Sequence, residues 1–456
     1  MLSYLKRFSL SALLVIALAI FTIFNPNSGL DILAFLVIAF IIMQKILGEY
    51  FILVLLAARP AVDFWRDFVL FSYRGFNFNI NAALSALLLI WSIYFFWKNR
   101  SYVRQIPALV PWILFLAWCT ITLVYSYDPS STITETMKAA NLFALFGISY
   151  ILYSKYGEKF RIDFIKSLIA AAVIPLAVAL FQFFTRTGMD IDDIRNRIYG
   201  TFAHPNILAT FALLLLTVLL HEYPEKHSIF KNKLSSLNLT GIFLLLIIAL
   251  TYTRIAWIGT AVLLFAVGII YFKKLVLYLT VSVGLFYLLF YPINNLLINN
   301  FNYNLQTFNI ISRLTTRNED SDSVSWRIDV ATKVLPLIKD RLVLGYGYGS
   351  FAKVWNDNKG IQNLWDNTSE AHDDYLKVAF EAGIIGIVLY LLIFATLLFE
   401  QIKFGFKNNW KNIVFITSIA VYLVLSVSDN MLHHTPMIWW MWAVWGVWAK
   451  EYQLSS

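Results

Sequence analysis

Residues 367–386 read NTSEAHDDYLKVAFEAGIIG, and the reading of the chain turns on them. The stretch begins polar, carries His372 beside Asp373 and Asp374, and runs on into an apolar segment long enough to start a membrane span. The large polar segment of the chain lies just before it. The pattern predicts a helix with Ser369 as N-cap and His372 in its first turn. Exposed amide groups at such an end disfavour an added positive charge, so a histidine there tends to stay neutral and able to accept a proton. The plainer reading is a loop histidine at a water–membrane boundary.

Composition sets the class. Of 456 residues, 59% are hydrophobic, 17% aromatic and only 14% charged. A soluble domain carries about 25% charged residues, so the expectation is an all-α polytopic membrane protein. The net charge of +9 is not a nucleic-acid signature, because the basic residues fall mostly in short loops between apolar runs. The single cysteine, Cys119, lies in an apolar run and reads as packing. The opening MLSYLKRFSL precedes an apolar run without a small-residue cleavage site, so a retained first helix is expected there.

Apolar runs start near Phe8, Leu30, Tyr50, Ile80, Pro107, Asn141, Phe164, Asn206, Leu237, Ile255, Leu275, Gly383, Ile413 and Thr435. A span takes about 20 residues, which gives about 12–14 spans. The Tyr50 run is short, ends at Arg59-Pro60, and reads as a broken or re-entrant helix. Basic loops at Lys98/Arg100/Arg104, Lys155/Lys159/Arg161, Lys226/Lys231/Lys233, Lys273/Lys274 and Lys403/Lys407/Lys411 alternate so as to share one face with Lys6 and Arg7. The positive-inside rule makes that face cytoplasmic, with both termini on it. The organisation expected is an N-terminal bundle over 1–295, an extracytoplasmic segment with helices over 296–381, and C-terminal helices over 382–456 that complete the same domain.

Charge on the outer side is concentrated. Arg195 and Arg197 sit in DIRNRIYGTFAHPN, directly before a span, and Arg254 sits in LTYTRIAWIG between two runs with almost no linker. An arginine at that depth needs a cavity, a partner or a bound anion, or else snorkels to anchor a helix end. The hydroxyls of Thr251, Tyr252 and Thr253 could hold a phosphate oxygen or satisfy backbone groups. Arg59, Arg313 and Arg327 are further outer cations, with Arg327 equally suited to bracing a helix. In SVSWRIDVATKVLPLIKDRLVL, residues Val324, Ile328, Ala331, Val334, Leu335 and Ile338 can share a helix face. The following GYGYGSF alternates Gly345, Gly347 and Gly349, which permits tight turns and close approach to a ligand, but lacks the Lys-Ser/Thr of a phosphate loop. No metal-ligand spacing is found. His433 and His434 read as an interfacial pair rather than a metal site, and His221 and His227 fall on the cytoplasmic side.

Four patches in this order resemble the bacterial O-antigen ligase and O-antigen polymerase superfamily: RIYGTFAHPN, LTYTRIAWIG, SVSWRIDVATKVLPLIKDRLVLGYGYGSF and EAHDDYLKVAFEAGIIG. The closing SDNMLHHTPMIWWMWAVWG, with an aspartate at the outer end of the penultimate span, also fits. The resemblance covers about Ser126 to Trp448. One departure is Asp373, where the family often has asparagine or serine.

The resemblance implies a GT-C-like membrane glycosyltransferase of cell-envelope polysaccharide biosynthesis in the bacterial inner membrane, with its site facing the periplasm or cell exterior. The donor would be a glycan on undecaprenyl pyrophosphate. The acceptor hydroxyl would belong to lipid A-core in a ligase, as in lipopolysaccharide assembly, or to another lipid-linked repeat unit in a polymerase. The family arginines carry over to Arg197 and Arg254, which would bind the pyrophosphate, and the family histidine to His372, which would orient or deprotonate the acceptor. Arg59, Arg327, Asp373 and Tyr375 are accessory candidates. No cofactor, metal or nucleic-acid partner is expected, because two fixed arginines can neutralise the leaving pyrophosphate through charge-assisted contacts. Attack opposite the phosphate predicts inversion. Ligase-type transfer is the reading preferred, with a polymerase using the same donor chemistry beside it. A transporter of lipid-linked sugars would place charges along a path through the bilayer, and a scaffold protein gives no reason for arginines at span ends.

Overall fold

The computed structural model describes residues 29–73, 76–191, 194–222, 236–271, 323–358, 370–403 and 410–455. The predicted runs at Phe8 and Leu275, the basic residues Lys6, Arg7, Lys226, Lys231, Lys233, Lys273, Lys274 and Lys407, and His227, Arg313 and Ser369 lie outside them. The described chain is helical throughout its long elements, as an all-α polytopic membrane protein requires. Five described segments are long and apolar enough to cross a membrane: Ile32–Trp65, Ile80–Lys98, Glu158–Thr185, Pro205–Glu222 and Asp374–Lys403. Shorter apolar helices cover Leu109–Val124, Leu239–Leu250, Arg254–Gly268 and Trp410–Leu425.

The first of these segments is two helices. Helix α1 (Gly29–Leu47) and α2 (Phe51–Val62) are joined by a 3-10 turn at Gly48–Tyr50, where Gly48 takes φ +60°. Twelve residues of α2 rise only about 18 Å, so the Tyr50 run is the short helix its length implied. Strands β1 (Val69–Tyr73) and β2 (Phe76–Asn79) then pair antiparallel, and Asn79 caps α3 (Ile80–Lys98) by accepting from the Ala82 amide at 2.9 Å. A second hairpin, β3 (Met189–Ile191) with β4 (Ile194–Arg197), follows the helix Glu158–Thr185. Both hairpins lie in segments expected as plain loops. Each is a minor exception to the helical build, short enough to be held by the bundle rather than by its own pairing.

Helices α4 (Leu109–Ile121), α5 (Pro129–Tyr156), α6 (Glu158–Thr185) and α7 (Pro205–Glu222) precede α8 (Ser236–Leu250) and α9 (Arg254–Tyr271). After helices α10 (Ser323–Asp340) and α11 (Phe351–Asp357) come α12 (Asp374–Lys403), α13 (Trp410–Leu425) and α14 (Thr435–Ser455). The core is built on α14. Its TPMIWWMWAVWGVWAK face is buried all round, as a helix apolar on every side must be. A Cβ at Gly446 would stand 2.2 Å from the Phe146 carbonyl oxygen, so glycine is what lets α14 lie against α5. The indoles find polar partners inside the bundle: Trp440 donates to the Leu56 carbonyl and Trp445 to Ser418 Oγ, each at 2.9 Å.

The bundle has two chemically different ends. At one, Glu49 pairs with Lys98 and Lys155, Arg161 with Glu158 and Glu222, and Lys411 with Glu451. The described basic loops therefore meet at a single end, as their alternation predicted. The N-termini of α7, α9, α12 and α14 and the C-termini of α2 and α13 gather at the other.

Helix α12 is broken at Gly383, with φ +66° and ψ −169°, a conformation essentially confined to glycine. The break frees backbone groups that a helix would pair internally. Tyr346 and Gly347 donate their amides to the Phe380 and Glu381 carbonyls at 3.1 and 2.8 Å, and Ile384 donates to the Leu342 carbonyl at 2.8 Å. The GYGYG loop is thus a plug for the break. A Cβ at Gly345 would meet the Glu381 carbonyl oxygen at 2.4 Å, and one at Gly349 the Ser131 carbonyl oxygen at 2.7 Å. The close approach expected of these glycines is to protein backbone, not to a ligand. Above the plug, Trp326, Val330, Val334 and Ile338 of α10 pack on Phe351, Trp355 and Phe380. The helix is where its periodicity placed it, but its buried row is the i, i+4 series from Trp326. Ile328 and Leu335, expected on that face, are exposed because the large indole anchors the helix one position round.

Candidate functional site

His372 stands just outside its helix. Asp373 is the cap, accepting from the Leu376 amide at 2.9 Å, and α12 begins at Asp374. His372 itself takes a left-handed backbone, φ +51°. His372 precedes the helix instead of lying in its first turn, so the amide-end argument for a neutral histidine does not apply. The carboxyl at position 373 wins the cap because it alone reaches the third helical amide. The turn after α13 holds the segment in place: Asp373 N donates to Asn430 Oδ1 at 3.1 Å and Asp374 N to the Ser426 carbonyl at 2.9 Å. Asp374 is fully buried, accepting from Ser426 Oγ at 3.0 Å and from the Leu432 amide.

The His372 ring rests edge-on against Trp326, with centroids 5.2 Å apart. Its Nδ1 is buried without a hydrogen-bond partner, 3.8 Å from Asp429 Oδ1, while the side chain as a whole is 31% exposed. The open edge is therefore the one bearing Nε2, the nitrogen that can meet an incoming hydroxyl. The 3.8 Å gap is longer than a hydrogen bond, and such contacts commonly tighten only in the substrate complex.

Asp429 is the hub. It is 3% exposed, accepts from Asn206 Nδ2 at 2.8 Å through Oδ2, and lies 3.5 Å from His434 Nε2. Burial alone would raise its pKa, but His434 and His372 beside it hold the carboxyl well below the usual carboxylate range. Burial is the largest influence on His434 and pushes it down, but the charge and hydrogen bond of Asp429, with the charges of Asp374 and Asp63, together lift it above its ordinary value. His204, desolvated and beside Arg197, falls to about 4; as a neutral ring it accepts from the Asn206 amide at 3.2 Å.

Asn206 carries the network on to the arginines. Its Oδ1 accepts from Thr253 Oγ1 at 3.2 Å and lies 3.5 Å from Arg197 Nη2. Arg197, 5% exposed at the end of β4, donates Nε to the Thr251 carbonyl at 2.9 Å and Nη2 to Thr253 Oγ1 at 3.3 Å. Thr251 Oγ1 instead returns to the Ile248 carbonyl at 2.7 Å, a backbone role. The three-residue linker Thr251–Tyr252–Thr253, with Tyr252 at φ +54°, separates α8 from α9, and Arg254 is the first residue of α9, half-buried. Arg197 is thus anchored on the linker that leads into Arg254, and through Asn206 it connects to Asp429, which stands 3.8 Å from His372 Nδ1.

The accessory candidates divide. Arg59 lies inside α2 at 1% exposure, not on an open loop. It donates to Asp63 Oδ1 at 3.2 Å and Thr435 Oγ1 at 2.7 Å and sits 5.4 Å over the Trp439 ring. It joins the cluster only through Thr435, the neighbour of His434. Arg327 is half-buried on α10 beside Trp326. Tyr375 donates its hydroxyl to the Leu423 carbonyl at 2.6 Å, tying α12 to α13. Asp373 is committed to its cap, with its carboxyl raised by burial. The side chain of Arg195 lies outside the described residues.

Residues 239–391 match the family model described as O-antigen ligase. Over that segment the chain is similar to the O-antigen ligase family. The matched residues include Arg254 and His372; Arg197, Asn206 and Asp429 come from outside it and are brought to them by the fold. The chain is also similar to an uncharacterised protein of Haemophilus influenzae, 26% identical over 245 residues, which are 50% of this chain and 59% of that protein. The chain therefore spans less than two thirds of that relative's length.

Sequence reasoning singled out Arg197, Arg254 and His372 and did not single out Asn206, His204, His434 or Asn430. All four stand in the quoted patches FAHPN and SDNMLHHTPM. The available signal was a run of polar side chains at the mouth of an apolar helix, where burial has to be matched by partners.

Proposed function

We propose that this protein transfers a glycan from undecaprenyl pyrophosphate to an acceptor hydroxyl, in the manner of an O-antigen ligase, with the arginine–histidine end of the bundle at the outer leaflet of the bacterial inner membrane. The observation that carries the reading is the polar series Arg197–Asn206–Asp429, with His372 Nδ1 3.8 Å from Asp429, which brings a cationic group and a candidate base together at one end of an apolar bundle.

In this reading Arg197 and Arg254 receive the pyrophosphate. The acceptor oxygen attacks the anomeric carbon, the bond from that carbon to the phosphate oxygen breaks, and the configuration inverts. The acceptor's proton passes to His372 Nε2, a contribution worth about 10²–10⁴-fold for a well-placed base. Asp429, on the Nδ1 side, favours the tautomer with the free electron pair on Nε2 and stabilises the ring once it is protonated. The arginines offset charge as it grows on the leaving pyrophosphate. A polymerase would use the same donor end and differ in acceptor.

The test is transfer by purified protein in lipid nanodiscs, with undecaprenyl-pyrophosphate-linked glycan as donor. His372→Ala and Arg254→Ala are expected to lose about 10²-fold or more in rate. Native rates in both variants would remove the site from consideration.

A further inference from the structure

A second polar cluster adjoins His372 and is not used by the steps above. Asn430, the residue after Asp429, accepts from the Asp373 amide and donates Nδ2 to Glu370 Oε2 at 3.0 Å. Consecutive residues thus serve different neighbours: Asp429 turns to the arginine network and Asn430 to Glu370. Around Glu370, Lys377 Nζ donates to Oε2 at 2.8 Å and lies against His433 Nε2, which is itself 3.1 Å from Glu370 Oε1. Glu135, from the first turns of α5, pairs with Lys138 at 2.6 Å and keeps its other oxygen 3.9 Å from His433, beyond hydrogen-bond reach. The cluster draws on three separate parts of the chain and is open to solvent: the side chains of Glu370 and Lys138 are each 30% exposed and that of His433 is 27%.

Its chemistry does not suit the donor's pyrophosphate, since both ammonium groups are already paired with carboxylates and the cluster carries no net positive charge. It suits a polyhydroxylated ligand. Carboxylates accept from neighbouring hydroxyls, an ammonium donates to them, and a neutral imidazole does either. Burial and Lys377 push His433 down to about 4, which keeps it neutral for that part. Inverting displacement also needs the acceptor to enter from a direction other than that of the leaving group, and this cluster reaches His372 by a route separate from Arg197.

Resting on the transferase reading, we propose that Glu135, Lys138, Glu370 and His433 form the subsite for the acceptor saccharide, with Lys377 holding Glu370 and His433 in position. The subsite fits a sugar on lipid A-core and a sugar on a second lipid-linked repeat unit alike.

The test measures KM for donor and acceptor separately in nanodiscs for the full chain and for Glu135→Gln and His433→Gln. One arm uses lipid A-core as acceptor, the other undecaprenyl-pyrophosphate-linked repeat unit. The acceptor KM is expected to rise about 10-fold or more in the arm the enzyme uses, with donor KM within about twofold. An unchanged acceptor KM, or equal rises in both KM values as a mere helix brace would give, overturns the subsite while leaving the transferase reading intact. Absence of transfer by the unaltered protein in both arms overturns that reading and the subsite with it. Lys138→Gln, at a half-buried position paired with Glu135, supplies the same readout if the other variants fold poorly.

Discussion

Replacing Arg197 separates anion binding from bracing. Among its described contacts, Arg197→Ala removes a hydrogen bond of ordinary length, to the Thr251 carbonyl at 2.9 Å, and long ones at 3.3 and 3.5 Å to Thr253 and Asn206. Only the first counts fully, and a hydrogen bond from a charged donor contributes about 1.5–3 kcal/mol, so the structural loss is about 2 kcal/mol. If the guanidinium also meets charge that grows on the pyrophosphate, its removal costs a further 3–4 kcal/mol or so in the transition state. That is a fall of roughly 10²–10³ in transfer rate at saturating donor. Arg197→Lys keeps the charge but loses the planar fork, so its rate should fall between the two. The assay is single-turnover transfer from undecaprenyl-pyrophosphate-linked glycan, run beside thermal unfolding of the same preparation. An Arg197→Ala protein that is less stable yet transfers within about threefold of the native rate would refute the argument and leave Arg197 a brace for the linker.

Asn206→Leu breaks the link between Asp429 and Thr253 and should lower transfer about 10–100-fold with little change in donor KM, read from the same assay. Gly383→Ala forces a side chain into a glycine-only conformation and sets its Cβ 2.2 Å from the Val343 carbonyl oxygen; a stability loss of about 3 kcal/mol or more is expected in denaturant or thermal unfolding. His204 lies at about 4 when folded against an ordinary 6.5, so between those values the unfolded chain binds a proton that the folded chain refuses. Its contribution to stability is complete above pH 6.5 and is lost as pH falls toward 4; His204→Gln should flatten the unfolding midpoint over that window.

Much was decided by sequence alone. The apolar runs and the alternation of basic loops specify a membrane bundle with one cationic end, because a helix in lipid must satisfy its backbone internally and expose apolar side chains. The polar residues stranded at span mouths, Arg197, Arg254 and His372, were visible as costly exceptions to that rule. Tertiary structure decided what they touch. Periodicity could not reveal that α12 breaks at Gly383, that the GYGYG loop fills the break, or that Trp326 sets the face of α10, since each depends on backbone or volume supplied from far along the chain. Nor could spacing reveal that Asn206 and Asp429, 223 residues apart, share a hydrogen bond that brings Arg197 and His372 to one polar cluster. Hydropathy is a local sum and records which residues must leave water; a buried polar network is settled only when distant helices pack and each desolvated group has to find its partner.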